Sequence, residues 1–226
     1  MTTTSTAPRP PRTDGRWPRR LLQLYAGLAL YGLSIALLAR SALGLMPWSV
    51  LDQGIARSTG ISLGTASIAV GVLVLLAWVP LRQWPGLGTV SNVVVIGLSL
   101  DASLALLPEV SSWPVRALLV VAGVVLNAVA TAAYIGVRLG PGPRDGLMTG
   151  LVRRTGRSVR LVRTTIEVVV VLAGVALGGT LGVATVVYAL TIGPLVQALL
   201  PPFVVAPASG NTDGTPELHT ATRPLT

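Results

Sequence analysis

The residues able to do chemistry in this chain are few, and most lie in or beside apolar runs. Arg163 and Glu167 stand four apart in the run Leu161–Leu177, so on a helix they share one face and are placed to form an ion pair. Asp101 lies two-thirds along another run, Leu87–Leu107. An ionised side chain near the centre of a bilayer costs about 3 kcal/mol or more, so such groups face the protein interior or a water-filled cavity. The Arg163–Glu167 pair therefore has two readings. It either fixes the helix register, with Arg160 and Arg163 reaching to the membrane surface, or it belongs to a transport site. Asp101 is either a coupling-ion or proton site or an acid close enough to the interface to be hydrated. Gly140–Asp145 offers a run of backbone N–H groups with Arg144 at a helix start, the makings of an anion cradle. Asp145 itself opposes an anion and is equally suited to cap that helix. Asn92 and Asn127 are expected as interhelical hydrogen-bond partners.

What is missing narrows the function. With no cysteine, thiolate metal sites, disulfides and thiol chemistry are all excluded. The single His219 lies in a polar tail. No His/Asp/Glu cluster has metal spacing, and there is no nucleophile elbow or phosphate loop. No catalytic residue, metal or cofactor is expected, and an intramembrane enzyme ranks third among the readings. The net charge of +9 suggests nucleic acid until the basic residues are located. All 17 are Arg, mostly clustered beside apolar runs, and the few aromatic residues do not interleave with them, so no base-stacking platform is expected.

The elements that must position these groups are membrane helices. Only 11% of the residues are charged, where a soluble domain carries about a quarter. A bilayer core takes about 20 apolar residues of helix. Six segments qualify: Leu21–Ala39, Ile61–Val79, Leu87–Leu107, Ala117–Val137, Leu161–Leu177 and Leu181–Leu200. The polar flanks, residues 1–20 and 201–226, cannot bury a core and read as disordered cytoplasmic tails. With six spans, fourteen arginines fall on one side and only Arg40, Arg57 and Arg116 on the other, which places both termini in the cytoplasm. Arg19-Arg20 before an apolar run resembles a secretion signal. The run is long, lacks a small-residue cleavage site and has a second copy mid-chain, so an uncleaved first span is expected.

That second copy is part of an internal repeat. At an offset of 96 residues, LGLMPWSVLDQGIARSTGIS from Leu43 falls on LGPGPRDGLMTGLVRRTGRS from Leu139, with nine of 20 positions identical and no gap. The same offset pairs Gly86, Thr89, Ile96 and Gly97 with Gly182, Thr185, Ile192 and Gly193. Each unit, roughly 21–104 and 117–200, holds three spans. Three is odd, so the second enters the bilayer from the opposite side, and the halves are expected to be inverted repeats. In the repeated loops, Gly44 and the pair Gly140 and Gly142 permit sharp turns. Pro47 and Pro143 suit a first helical turn, and Gly60 and Gly156 suit its end. A short amphipathic helix is expected between them, with Trp48, Leu51 and Ile55 on one face of the first copy and Leu147 and Leu151 taking that role in the second. It is either re-entrant, shielded by protein, or flat at the interface. Arg160, Arg163 and Glu167 stand opposite Gly64, Ser67 and Gly71 in the repeat, small residues that leave room for a polar pocket.

Several stretches carry a family resemblance: LGLMPWSVLDQG at Leu43–Gly54, GLGT at Gly86–Thr89, GPGPRDGLM at Gly140–Met148, SVRLVRTTIE at Ser158–Glu167 and IGP at Ile192–Pro194. Together they resemble the YczE/YyaS/YitT group of bacterial integral membrane proteins, most of all its YczE-like branch. The pattern of that group has an Asp after the Pro-Trp of the first copy. Here that position is Ser49, while Asp145 is kept in the second copy and an acid stands at Asp52. The resemblance implies an all-α multi-pass protein of the bacterial plasma membrane and no particular substrate. The leading functional expectation is a transporter of a small molecule, an anion among the candidates, with its site near the midplane between repeats. The runner-up is a non-transporting membrane protein that supports a partner complex.

Overall fold

A computed structural model describes residues 17–205. Readings that fall on residues 1–16 and 206–226, His219 and Arg223 included, lie outside the described residues. The order is α1 (Trp17–Ser41), α2 (Pro47–Thr59), α3 (Leu63–Trp78), α4 (Leu87–Leu106), α5 (Trp113–Gly136), α6 (Pro143–Thr155), α7 (Val159–Ala176) and α8 (Val183–Leu199). A 3-10 turn, Pro201–Phe203, follows. No strand occurs among the described residues.

Helices α5 to α8 each begin 96 residues after α1 to α4, because the same local signals recur. α2 and α6 start on Pro47 and Pro143 and stop at Gly60 (φ 78°) and Gly156 (φ 65°), a left-handed geometry that glycine adopts without strain. The Ser62 and Ser158 hydroxyls accept hydrogen bonds from the Thr65 and Leu161 N–H groups and cap α3 and α7. The Thr89 and Thr185 hydroxyls do the same for the Gly86 and Gly182 N–H groups, ahead of α4 and α8.

The two units also grip each other reciprocally. The Gly88 N–H donates to the Leu139 carbonyl at 2.9 Å, and the Ala184 N–H donates to the Leu43 carbonyl at 2.9 Å, the same bond made with the halves exchanged. Gly44 and Gly140 sit in these crossings at φ 116° and 130°. A Cβ on either would stand 2.7 Å from the threonine hydroxyl of the opposite unit, Thr185 or Thr89. Bonds of the form i to j and j to i are the mark of a two-fold relation.

α1 and α5 pack along each other at the centre, with α4 against α1 and α8 against α5. Leu24, Leu28, Ile35, Leu38 and Leu100 are fully buried there. Large apolar side chains, among them Leu73, Leu98, Leu118, Leu172 and Leu190, point outward, where a bilayer would meet them. α1, α4 and α5 are long and apolar enough to cross a membrane. α2 and α3 together pass the same test but bend by 115° at their break. α8 is apolar but shorter, and α7 carries Arg160, Arg163 and Glu167. The molecule is an all-helical membrane protein with, among the described residues, three candidate spans by length and composition, or four with the bent pair.

Two readings of the sequence need adjustment. α1 begins at Trp17 and residues 201–205 dock onto the end of α5, so both lie partly within stretches read as tails. The reason is the free carbonyls at the end of α5. Arg20 donates to the Val137 carbonyl at 2.7 Å and the Val205 N–H to the Gly136 carbonyl at 3.0 Å.

The expected apolar face of α2 exists, and it rests on protein: Trp48, Leu51 and Ile55 pack with Leu147 against Val70, Val74 and Trp78. The two short helices are seated by opposite size choices. On one side α2 presses its Val50–Leu51 backbone onto Gly174 of α7. On the other, the counterpart positions are Gly146 of α6 and Trp78 of α3, and a Cβ on Gly146 would overlap the indole ring. Gly146→Ala is therefore expected to destabilise by about 1–3 kcal/mol through overpacking. Gly146→Ala combined with Trp78→Phe should recover part of that loss, as read by the thermal midpoint in detergent. A single variant that melts with the parent would show that α6 does not need this seat.

Candidate functional site

A cavity of about 350 Å³ lies between the two units. α6 brings Arg144 and Asp145 to its wall from its first turn, α7 brings Arg163 and Glu167, and α2 brings Trp48. Tyr31, Tyr134 and Tyr188 add hydroxyls from α1, α5 and α8.

Arg144 organises the centre. Its guanidinium lies 4.9 Å from the centroid of the Trp48 ring, in cation–π range. One of its nitrogens is 3.4 Å from Asp52 Oδ2. The Asp52 side chain is 1% exposed, and neither its Oδ1 nor the buried Ser49 hydroxyl has a partner in the protein. Arg144 thus ties a buried carboxylate of the first unit to the cavity. Trp48 and Arg144 also occupy the same position in the two repeats. Two repeat counterparts thus meet at the cavity wall.

Asp145 stands in the turn expected to form an anion cradle. Its carboxylate and the Tyr134 hydroxyl lie 3.0 and 3.1 Å from where a Cβ on Gly142 would be. The chain's own carboxylate therefore sits at the start of α6, beside Gly142 and the Tyr134 hydroxyl. Pro143, in the same turn, offers its carbonyl to the Trp78 Nε1–H at 3.0 Å.

At the mouth, Arg163 Nε donates to Glu167 Oε1 at 3.0 Å, with the side chains 57% and 35% exposed. Their small repeat counterparts, Ser67 and Gly71, line the same cavity. Arg160 is exposed and lies outside the cavity wall. Asp101 lies away from the cavity and is half-buried. It accepts from the Ser62 hydroxyl at 2.5 Å and from the Gly64 N–H at 2.7 Å, and so holds the start of α3 to α4. An acid at a helix start complements the dipole and its free N–H groups. Asn127, fully buried, donates to Ser34 Oγ at 2.8 Å and accepts from the Tyr188 hydroxyl at 3.0 Å, an interhelical role. Asn92 lines the cavity instead.

Reasoning from the sequence missed the tyrosines, Gln197 and the contact of Arg144 with Asp52. The helix periods do not reveal which of three tyrosines on three helices converge. The Arg144–Trp48 contact did leave a trace, since aligning the repeats puts the two residues in register.

Comparison with known proteins places residues 18–201 in a match to DUF6198, a family of unknown function. An uncharacterized protein of Haemophilus influenzae is 39% identical over 177 residues, covering 78% of this chain and 81% of the relative. The uncharacterized membrane protein YczE of Bacillus subtilis is 29% identical, over 86% of this chain and 94% of its own length. YyaS of the same organism, also uncharacterized, is 22% identical over 77% and 89%. No solved structure matches the chain.

Proposed function

We propose, from the premise that the chain belongs to DUF6198, a family of unknown function, that it carries a small molecule across the bacterial plasma membrane through a site between two inverted repeats. The observation that carries the reading is the cavity between the units: Arg144, Asp145, Arg163 and Glu167 gather around one space enclosed by apolar helices. Charges held inside a membrane domain mark substrate or ion paths, and inverted-repeat transporters place such sites at the repeat interface near the midplane. The cavity volume of about 350 Å³ lies at the small end of the range for small-molecule sites. Two guanidiniums suit an anionic group on the cargo.

In this reading α1, α3, α4, α5, α7 and α8 are six spans, and α2 and α6 are re-entrant. The 115° bend between α2 and α3 and the full burial of Ser49, Val50 and Asp52 support re-entry over a helix lying flat at the interface.

Two measurements test the proposal. Reporter fusions at Gly60 and Ser112 are expected to read outside, and fusions at Gly156 and the C-terminus inside, following the bias of fourteen arginines in 17. A fusion at Gly156 that reads outside ends both the six-span count and the inversion. Purified protein screened against a metabolite panel should show ligand-dependent thermal stabilisation, worth about 2.7 kcal/mol at 100 times Kd. A panel rich in small anions that stabilises nothing would favour an accessory protein.

A further inference from the structure

The two units are built alike, yet one seam is shut and its counterpart is open. α3 packs along α4, while α7 and α8, 96 residues later, scarcely touch. In the shut seam Gly64 and Gly97 are in contact. A Cβ on Gly64 would overlap the Gly97 carbonyl, and one on Gly97 would stand 2.7 Å from the Gly64 carbonyl and overlap Ile68. Ser62 and Gly64 are tied across the same seam to Asp101. In the other unit, Gly193 is the counterpart of Gly97 and has nothing within 4 Å. Gln197, the counterpart of Asp101, is exposed and lines the cavity that Arg163 and Glu167 also line.

Gly193 is what makes the difference informative. A glycine inside a helix costs about 1 kcal/mol relative to alanine. Here it spares no neighbour, and its φ is not in the left-handed region. Gly97 shows what that position is for: it lets one helix backbone lie on another. The two units share this glycine but not its partner, since Arg160 stands where the first unit has Gly64, so α7 can close on α8 over Gly193 only with the Arg160 side chain turned aside.

We propose that α3–α4 and α7–α8 are a pair of alternating gates, and that the structure shows the state in which the α7–α8 gate is open. In the second state α7 closes on α8 over Gly193 while α3 parts from α4, and Asp101 enters the cavity wall at the place Gln197 holds now. The inference rests on the inverted-repeat transport reading, which puts the open gate at the cytoplasmic, arginine-rich end and the shut gate at the outer face. Asp101 then becomes an ionisable group offered to the cargo or a coupling ion only from outside.

The absence of cysteine allows a direct test in the full chain. A Cβ on Gly64 would lie 2.5 Å from Asp101 Cγ, so the counterparts, replaced as Arg160→Cys and Gln197→Cys, should come within disulfide range only when α7 closes on α8. In native membranes with an oxidant, an intramolecular disulfide is expected to form. Adding Gly193→Leu should leave the thermal midpoint unchanged, because the side chain enters open space, and slow the disulfide by at least about tenfold. No intramolecular disulfide, or disulfides only between copies, would overturn the gate and assign the gap to lipid or to a second molecule. Equal rates with glycine and leucine would overturn it as well. The cross-link requires no cargo, so a disulfide with no ligand found in any screen would remove the transport reading and leave the gate standing.

Discussion

Arg144→Leu is expected to destabilise the fold by about 3–5 kcal/mol, because it strands a buried charge. Asp52 is 1% exposed, and Arg144 is its one salt-bridge partner among the described residues. The Asp52 Oδ1 has no close protein partner, so removing the guanidinium leaves the carboxylate only the nearby Ser67 hydroxyl. The reverse change, Asp52→Leu, should cost less. Arg144 is 29% exposed toward the cavity and keeps the Trp48 face at 4.9 Å. A double change to Asp52→Leu and Arg144→Met should melt close to the parent, since a buried pair can be replaced by well-packed apolar residues at little net cost. Thermal midpoints of the four proteins in one detergent decide this. Equal losses in the two single variants would mean that Asp52 carries no charge in the fold. The double variant then serves a second purpose, as a folded protein whose cavity lacks Arg144. If the cavity binds cargo, ligands that stabilise the parent should no longer stabilise it.

Much of this architecture was legible because the chain states it twice. Capping signals at Pro47 and Pro143, Ser62 and Ser158, and Gly60 and Gly156 fix helix ends by local chemistry, and local chemistry is what a sequence displays. The offset of 96 then carried every helix start of one unit onto the other. Packing between units was less legible. Asp101 reads as a membrane acid by its place in an apolar run, yet it meets the start of α3 across a loop of undefined shape, and no periodicity encodes that crossing. Asp145 was ambiguous for the opposite reason. Its position at a helix start fits both a cap and an anion site, and no sequence pattern shows its nearness to Tyr134. The open seam was invisible, since Gly97 and Gly193 are aligned in sequence and differ only in what packs on them.

Glu167→Gln is expected to leave stability nearly unchanged and to change any ligand response strongly, raising it for an anion and removing it for a cation. The Arg163–Glu167 pair is a partly exposed i,i+4 contact, and such pairs contribute about 0.3–0.5 kcal/mol. A purely structural role therefore predicts almost nothing for this substitution, which keeps volume and removes charge. The transport role predicts a large effect, because the pair stands at the mouth of the cavity that Gln197 also lines. Without Glu167, the Arg163 guanidinium loses its partner at 3.0 Å and adds an uncompensated positive charge where cargo must pass. An anionic ligand would then be held rather than released, and a cationic one repelled. The double change Arg163→Leu and Glu167→Leu removes both charges from the mouth, and it too should fold. Ligand-dependent thermal stabilisation, measured on the parent, the single and the double variant, separates the cases. A double variant that is stable and responds to ligand as the parent does would end the role of this pair in transport, and would leave Arg144 and Asp145 to define the site alone.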